Sequence, residues 1–455
     1  MSRILDRARA VLDRAVPVQG IRPVPAEERR LSGRDLAVLW GDLSVGLLVL
    51  VTGALLVPAL ALPRALLAIV VGAVLGSVPL ALVGLAGARE GVPGMTLFRA
   101  SLGARGSWIP SALNLLQLVG WTAVEFWAMA GVANVASREL LGFDAFHGWL
   151  AVVAVLCTGF ALGGPVLVVR RWLERFGVPI LLLATAVITW RVLSSGDLTT
   201  IWRAPGTGGL PFWLAVDLVA VMPISWLPLV ADYTRFARGD ARAFAGTFGG
   251  AAVGTAWFYA LGALLVLSAG ASPDVAGVGG ALLAVAGGPL LLLALLVGET
   301  DNAFANLYSS VVSVQNLAPR APARALTVGF GVLAFLLAST FSLERYEVFL
   351  LLIGSVFVPL FGVFAADWLV RARGRYGEEV LFGAPAFRPL ATVPIVAGFV
   401  LYHWSVPTGP TGWVAGVEAV ARALELPFPL FGSAIGASVP SFALAFLLAL
   451  ALPRR

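Results

Sequence analysis

From Leu36 to Leu452 the chain repeats one pattern: long apolar runs, separated by short segments rich in glycine, proline and arginine. A run of about twenty apolar residues crosses a hydrocarbon core about 30 Å thick. In lipid the backbone must satisfy its own hydrogen bonds, so each run is predicted as a helix. The runs fall at 36–58, 65–88, 108–136, 148–169, 175–194, 211–235, 246–271, 289–316, 325–341, 346–370, 390–406 and 430–452, here called spans one to twelve. The apolar stretch Gly279 to Ala286 is too short to cross and leads into Gly287-Gly288-Pro289, which suits a re-entrant or surface helix before span eight. The fold class this implies is an all-α membrane protein of about twelve transmembrane helices.

Composition agrees. Apolar residues make up 59% of the chain and charged residues 12%, whereas a soluble domain has about 45–50% and about 25%. All 31 basic residues are arginine. With the N-terminus inside, only Arg64, Arg138, Arg191, Arg203, Arg345 and Arg422 fall in outer segments, and every other arginine falls in an inner one. That bias orients a polytopic protein. It predicts a multi-pass protein of the inner (plasma) membrane with both termini cytoplasmic. The formal net charge of +6 then reflects arginines meeting anionic lipid head groups, and nucleic acid is not an expected partner. The single cysteine, Cys157, lies within an apolar span, which excludes disulfides. The first 34 residues have no apolar core and do not read as a signal peptide. Ile4, Leu5, Ala8, Val11 and Leu12 recur at helical spacing among arginines, as in a helix lying on the inner surface; a disordered tail is the alternative.

Polar residues interrupt the pattern in four places. Span one holds Trp40-Gly41-Asp42-Leu43-Ser44-Val45-Gly46, and span six holds Pro223-Ile224-Ser225-Trp226-Leu227-Pro228. Glycine weakens a helix and proline removes a backbone donor, so both spans are predicted to unwind. They are corresponding members of two five-helix halves, and paired breaks at equivalent positions point to an inverted-repeat transporter with a mid-membrane site. Two ordinary proline kinks are the blander reading. Span eight carries Gly298-Glu299-Thr300-Asp301-Asn302-Ala303-Phe304-Ala305-Asn306 between apolar stretches. A charge at the bilayer centre costs about 2.5–3.5 kcal/mol on insertion scales, so these groups need partners. A loop here would leave two stubs too short to span. Thr300 and Asp301 offer hard oxygens for Na⁺, or a carboxylate that takes a proton, and Asn306 offers a paired donor and acceptor.

Span three contributes Gln117, Gly120-Trp121 and Glu125. Trp121 and Glu125 are four apart and share a helix face. An aromatic plate beside a carboxylate suits a flat, nitrogen-rich ring whose amino or N–H groups donate to the acid. Trp121 sits mid-span, away from the interfacial belt; for Glu125, a buried acid paired with another helix is the alternative. Asp232 and Arg235 close span six, where an ion pair at the inner end is expected. Asp217 is either a site residue or interfacial. His147 and His403 lie in a loop and near a helix end. The chain has no Cys/His metal cluster, phosphate loop or Gly-x-Ser-x-Gly, so neither an enzyme nor an ATP-driven pump is expected, and no cofactor beyond a coupling ion, Na⁺ or H⁺.

Taken in order, several segments resemble the nucleobase:cation symporter-1 family, the permeases for cytosine, purines, uracil, allantoin, hydantoins and thiamine precursors. They are Gly20-Ile21-Arg22-Pro23-Val24-Pro25, Glu28-Arg29-Arg30, Gly91-Val92-Pro93-Gly94-Met95, Phe98-Arg99-Ala100 and Gly103-Ala104-Arg105-Gly106-Ser107. Gln117-Leu118-Val119-Gly120-Trp121, Asp232-Tyr233-Thr234-Arg235-Phe236 and Asn302-x-x-Ala305-Asn306-x-Tyr308-Ser309 complete the set. The resemblance implies a 5+5 inverted-repeat core of the LeuT type over 36–370, its repeats at 36–194 and 211–370. It places a cytoplasmic segment at 1–35 before the core and two peripheral helices at 390–452 after it. It also implies a ring sandwiched between Trp121 and Trp226, with Gln117, Glu125, Ser225 and Asn306 around it. The family's sodium site is implied at Gly41, Ser44 and Val297 with Thr300 and Asp301, where the aspartate departs from a hydroxyl pattern. Ser225-Trp226-Leu227-Pro228-Leu229 is most similar to the CytX branch, associated with hydroxymethylpyrimidine.

The expected function is therefore a secondary symporter importing a planar nitrogenous ring, hydroxymethylpyrimidine or cytosine before uracil, by alternating access. An amino-acid symporter of the same architecture would need span-one backbone donors for a carboxylate, and Gly41 to Gly46 could supply them. A channel would show a polar stripe through several helices, and a sensor a sizeable soluble domain. Sequence sets neither the coupling ion nor an oligomeric state.

Overall fold

The computed structural model describes residues 20–163, 178–195, 198–285, 287–340, 346–430 and 434–453. The expected surface helix around Ile4 to Leu12 lies outside these residues, as do the end of span four and the start of span five. Among the described residues the secondary structure is helical, apart from an isolated parallel bridge between Leu31 and Ala237.

Among the described residues seven helices are long and apolar enough to cross a membrane: Leu62–Glu90, Trp108–Leu141, Phe212–Thr234, Asp240–Ala269, Gly288–Leu317, Ala323–Thr340 and Tyr346–Arg371. Gly33–Asp42 and Leu47–Ala54 together make an eighth, bent by 58° at the break. Shorter apolar helices, Phe146–Ala161, Pro179–Ser194, Pro389–Ser405 and Ser438–Ala451, fall at the expected spans four, five, eleven and twelve, and Val275–Ala284 at the short run before span eight.

Local chemistry sets the boundaries. Ser32 and Asp35 form a reciprocal capping box that starts span one, satisfying two donors a helix start leaves open. Gly91 and Gly270 end spans two and seven at φ of 70° and 61°, a conformation that a Cβ disfavours. The two predicted interruptions are real breaks. Span one stops at Asp42 and resumes at Leu47. Span six is helical over Phe212–Ser225 and Val230–Thr234, with turns between. Span eight, by contrast, runs unbroken through its polar stretch from Gly288 to Leu317.

Small residues let these helices approach closely. A Cβ on Gly254 of span seven would lie 2.7 Å from the Gly41 carbonyl oxygen, and one on Gly72 of span two 2.6 Å from Val219 Cβ of span six. Without a hydrophobic drive between helices in lipid, such close backbone packing holds a bundle together. Spans one and six are thereby wedged against spans seven and two, and spans three and eight pack side by side.

Three polar residues find structural partners. Asp217 accepts hydrogen bonds from the Ala437 and Ser438 amides, at 2.6 and 3.3 Å, and so caps the helix of span twelve from span six. Asp232 and Arg235 do not form the expected ion pair. The Asp232 carboxylate accepts from the Gly94 amide at 2.9 Å, while Arg235, 1% exposed, donates to the Asp232 carbonyl, the Tyr308 hydroxyl and the Gly20 carbonyl. Arg235 bonds the Asp232 backbone rather than its carboxylate, and its other two nitrogens reach span eight and the segment before span one. That segment is tied down further: the Val24 amide donates to the Gly91 carbonyl, the Leu31 amide to Phe236, and Arg29 to the Ala88 carbonyl.

Candidate functional site

The helix breaks put unusual groups in mid-bundle. Where span one resumes, the Leu47 amide has no partner in its own helix, because the first N–H groups of a helix never do. It donates instead to Oε1 of Glu299 from span eight. Oε2 of the same carboxyl accepts from Asn302 Nδ2 at 3.1 Å. A Cβ at Gly46 would collide with this carboxyl, so the glycine before the half-helix is what admits Glu299.

Beside this junction lies a small cavity of about 20 Å³, walled by Leu43, Gly46, Leu48, Val49, Trp121, Glu125, Met222, Ser225, Trp226, Glu299 and Asn302. That volume suits about one water molecule, so a larger ligand would enter only as the surrounding helices part. Trp121 packs edge-on against Phe349 and Tyr346, with centroids at 5.4 and 6.5 Å. Trp226 meets Trp40 at 6.3 Å. Glu125 is 4% exposed and within hydrogen-bonding reach of Glu299, and its Oε2 has no hydrogen-bond partner.

Of the six residues expected around a ring, the cavity brings together Trp121, Glu125, Ser225 and Trp226. Gln117 stands just behind the wall, donating to the Ser225 carbonyl at 3.0 Å and to Asn114 at 2.7 Å. Asn306 is buried with both amide atoms unpartnered, yet it does not line this cavity. The wall residues that the sequence reading passed over are Glu299 and Asn302. Their i, i+3 spacing, continued by Asn306 at i+7, marks one face of span eight, a signal that was available.

The residues expected to hold a cation divide differently. The Thr300 hydroxyl donates to the Val297 carbonyl at 2.7 Å and the Ser44 hydroxyl to the Trp40 carbonyl at 2.7 Å. Gly41 faces the span-seven backbone. Asp301 and, from the span-one break, Asp42 are 1% and 6% exposed and within hydrogen-bonding reach of each other, and none of their four oxygens has another partner. Burial of unpaired acid oxygens is costly, so this carboxyl pair is where a cation or a shared proton repays most. Asp42 is thus drawn into the site.

A bundle of apolar helices that encloses aromatic and acidic side chains at two helix breaks has the architecture of a membrane permease. The model of the family described as "Permease for cytosine/purines, uracil, thiamine, allantoin" matches residues 23–389. The chain belongs to this family. It is 25% identical to the putative purine-cytosine permease YxlA of Bacillus subtilis, over 95% of this chain and 93% of that protein. The cytosine permease of Escherichia coli K12 is 26% identical, over 77% and 80%. Among solved structures, the nucleobase-cation-symport-1 transporter Mhp1, closed with bromovinylhydantoin bound, superposes with a TM-score of 0.74 at 19% identity, covering 96% of each chain. A Na⁺-coupled sialic acid symporter, substrate-bound and outward-open, superposes at 0.66 and 15% identity, over 98% of this chain and 95% of that one. At such identities these likenesses establish the fold: an all-helical inverted-repeat membrane transporter.

Proposed function

We propose that this permease imports a planar nitrogen-containing ring of the aminopyrimidine kind, such as cytosine or hydroxymethylpyrimidine, coupled to the inward movement of Na⁺ or H⁺. The observation that carries the reading is the wall shared by Trp121, Trp226 and Glu125: two broad aromatic surfaces for stacking and an open carboxylate oxygen for an amino group. The relatives' names, cytosine and purine-cytosine permeases, point the same way. An amino-acid substrate is less well served, because the Leu47 amide at the span-one break, a donor its carboxylate could use, already serves Glu299. The cation is assigned to the Asp42–Asp301 pair between spans one and eight, and ring and ion bind with reciprocal coupling. Repeats at 36–194 and 211–370, about twelve spans in all, and cytoplasmic termini belong to the same reading.

The test is uptake into proteoliposomes of cytosine, hydroxymethylpyrimidine, adenine, uracil, allantoin, thiamine and leucine, each with an imposed Na⁺ or pH gradient. Gradient-dependent accumulation of an aminopyrimidine is expected. Accumulation of leucine with no ring compound would overturn the substrate, and uptake that ignores both gradients would overturn coupling. In Asp301→Ala the ion dependence should be lost; an unchanged dependence places the cation elsewhere.

A further inference from the structure

The hydrogen-bond inventory of the cavity says more about the ring than its shape does. Glu125 of span three and Glu299 of span eight lie within hydrogen-bonding reach of one another. No arginine or histidine lines the cavity with them, and the chain contains no lysine. Two carboxyl groups in contact cannot both stay ionised, so the pair holds at least one proton and at most one negative charge. Buried without a counter-charge, that charge is expensive.

The open side-chain atoms beside the two acids have one dominant sense. Glu299 spends Oε1 on the Leu47 amide and Oε2 on Asn302 Nδ2. Asn302, having donated to that carboxyl, is left with Oδ1, which is buried and unpartnered. Glu125 is left with Oε2. Both are acceptors. Behind them Gln117 repeats the arrangement, donating from Nε2 and leaving Oε1 open. Among the buried, unpartnered side-chain atoms of the wall the one donor is the Trp121 indole N–H; the Trp226 indole and the Leu48 and Val49 amides are further donors without a partner. A buried hydrogen-bonding group left unmatched is costly, more so when charged, so the ligand edge that meets the two acids and Asn302 offers N–H donors and positive charge.

We propose that the ring binds as a cation, through an amidinium-type edge (adjacent N–H donors sharing one positive charge) set against Glu125, Glu299 and Asn302, between Trp121 and Trp226. Such an edge meets a carboxylate in the paired geometry that makes charge-assisted hydrogen bonds strong, and tryptophan faces are the best aromatic surfaces for a cation. The inference rests on the ring-transport reading above and narrows it: uracil, whose edge alternates donors with carbonyl acceptors, is disfavoured against the two acids, and a protonated aminopyrimidine is favoured.

Benzamidine and benzamide separate the two claims, since they share size and flatness but only benzamidine carries the cationic, donor-only edge. Thermal stabilisation and mutual competition of benzamidine, benzamide, cytosine and uracil are measured on the purified full-length chain. Benzamidine should bind at least tenfold more tightly than benzamide and compete with cytosine. The ratio should fall to about one in Glu125→Gln or Glu299→Gln. Where a variant does not fold, the ratio on the unaltered chain decides alone. Cytosine binding with benzamidine no better than benzamide, or uracil binding as well as cytosine, overturns the cationic edge and leaves the ring permease standing. No binding by any of the four overturns both.

Discussion

Glu299 and Gly46 show how single residues set the site. A carboxylate at the start of a helix is favoured by the open N–H groups and the helix dipole. Here it arrives from span eight rather than from a ligand, and only the absence of a Cβ at Gly46 leaves room. Gly46→Ala should therefore displace Glu299 and Asn302, whose Nδ2 lies 3.2 Å from the added carbon. The expected outcome is ring uptake reduced at least about tenfold, equivalent to roughly 1.4 kcal/mol of binding, in a chain that still purifies as a folded species; unchanged uptake would detach this junction from transport. Trp121, Glu125, Ser225 and Trp226 could be read as site candidates because tryptophan and acid in mid-span are conspicuous. Glu299 was equally conspicuous as a charge, but its role depends on an amide in span one, 252 positions away, which no local pattern reveals. Asn306 fails to reach the cavity wall for the complementary reason: a turn of helix decides which neighbours a side chain meets.

At the scale of elements, the helix breaks were legible and their packing was not. Prolines 223 and 228 and the glycines of span one declare unwinding through lost donors and lost stiffness. That span one lies on span seven follows from Gly53 and Gly262, where a Cβ would collide with the Tyr259 and Leu50 carbonyls. Gly262→Leu should force the two helices apart and, as overpacking, destabilise the bundle by about 1–3 kcal/mol. A lowered melting temperature in detergent measures this, and a melting temperature equal to that of the unaltered chain would show the contact to be dispensable. The segment before span one is a second such element. Arg235 reaches Gly20 as well as Tyr308, so Arg235→Gln should release Gly20–Arg30 and increase its protease cleavage or labelling; unaltered protection would mean that the Leu31–Ala237 bridge and Arg29 suffice.

For the whole molecule, the arginine bias predicts a sidedness that reporters fused after each predicted span can check. Reporters after spans two, four, six, eight, ten and twelve should read as cytoplasmic, and an odd-even reversal would overturn the orientation. Class, approximate span positions and the location of the breaks were determined by sequence alone, because they depend on properties carried locally: apolar run length, charge at run ends, and glycine or proline within a run. The composition of the cavity wall was decided only by tertiary structure. It depends on the depth and rotation of spans one, three, six and eight relative to one another. Asn302 and Asn306 lie on one face of span eight, so a slide of about one helical turn, roughly 5.4 Å, decides which of them stands at the wall, and the relative depth of spans one and eight brings Asp42 against Asp301.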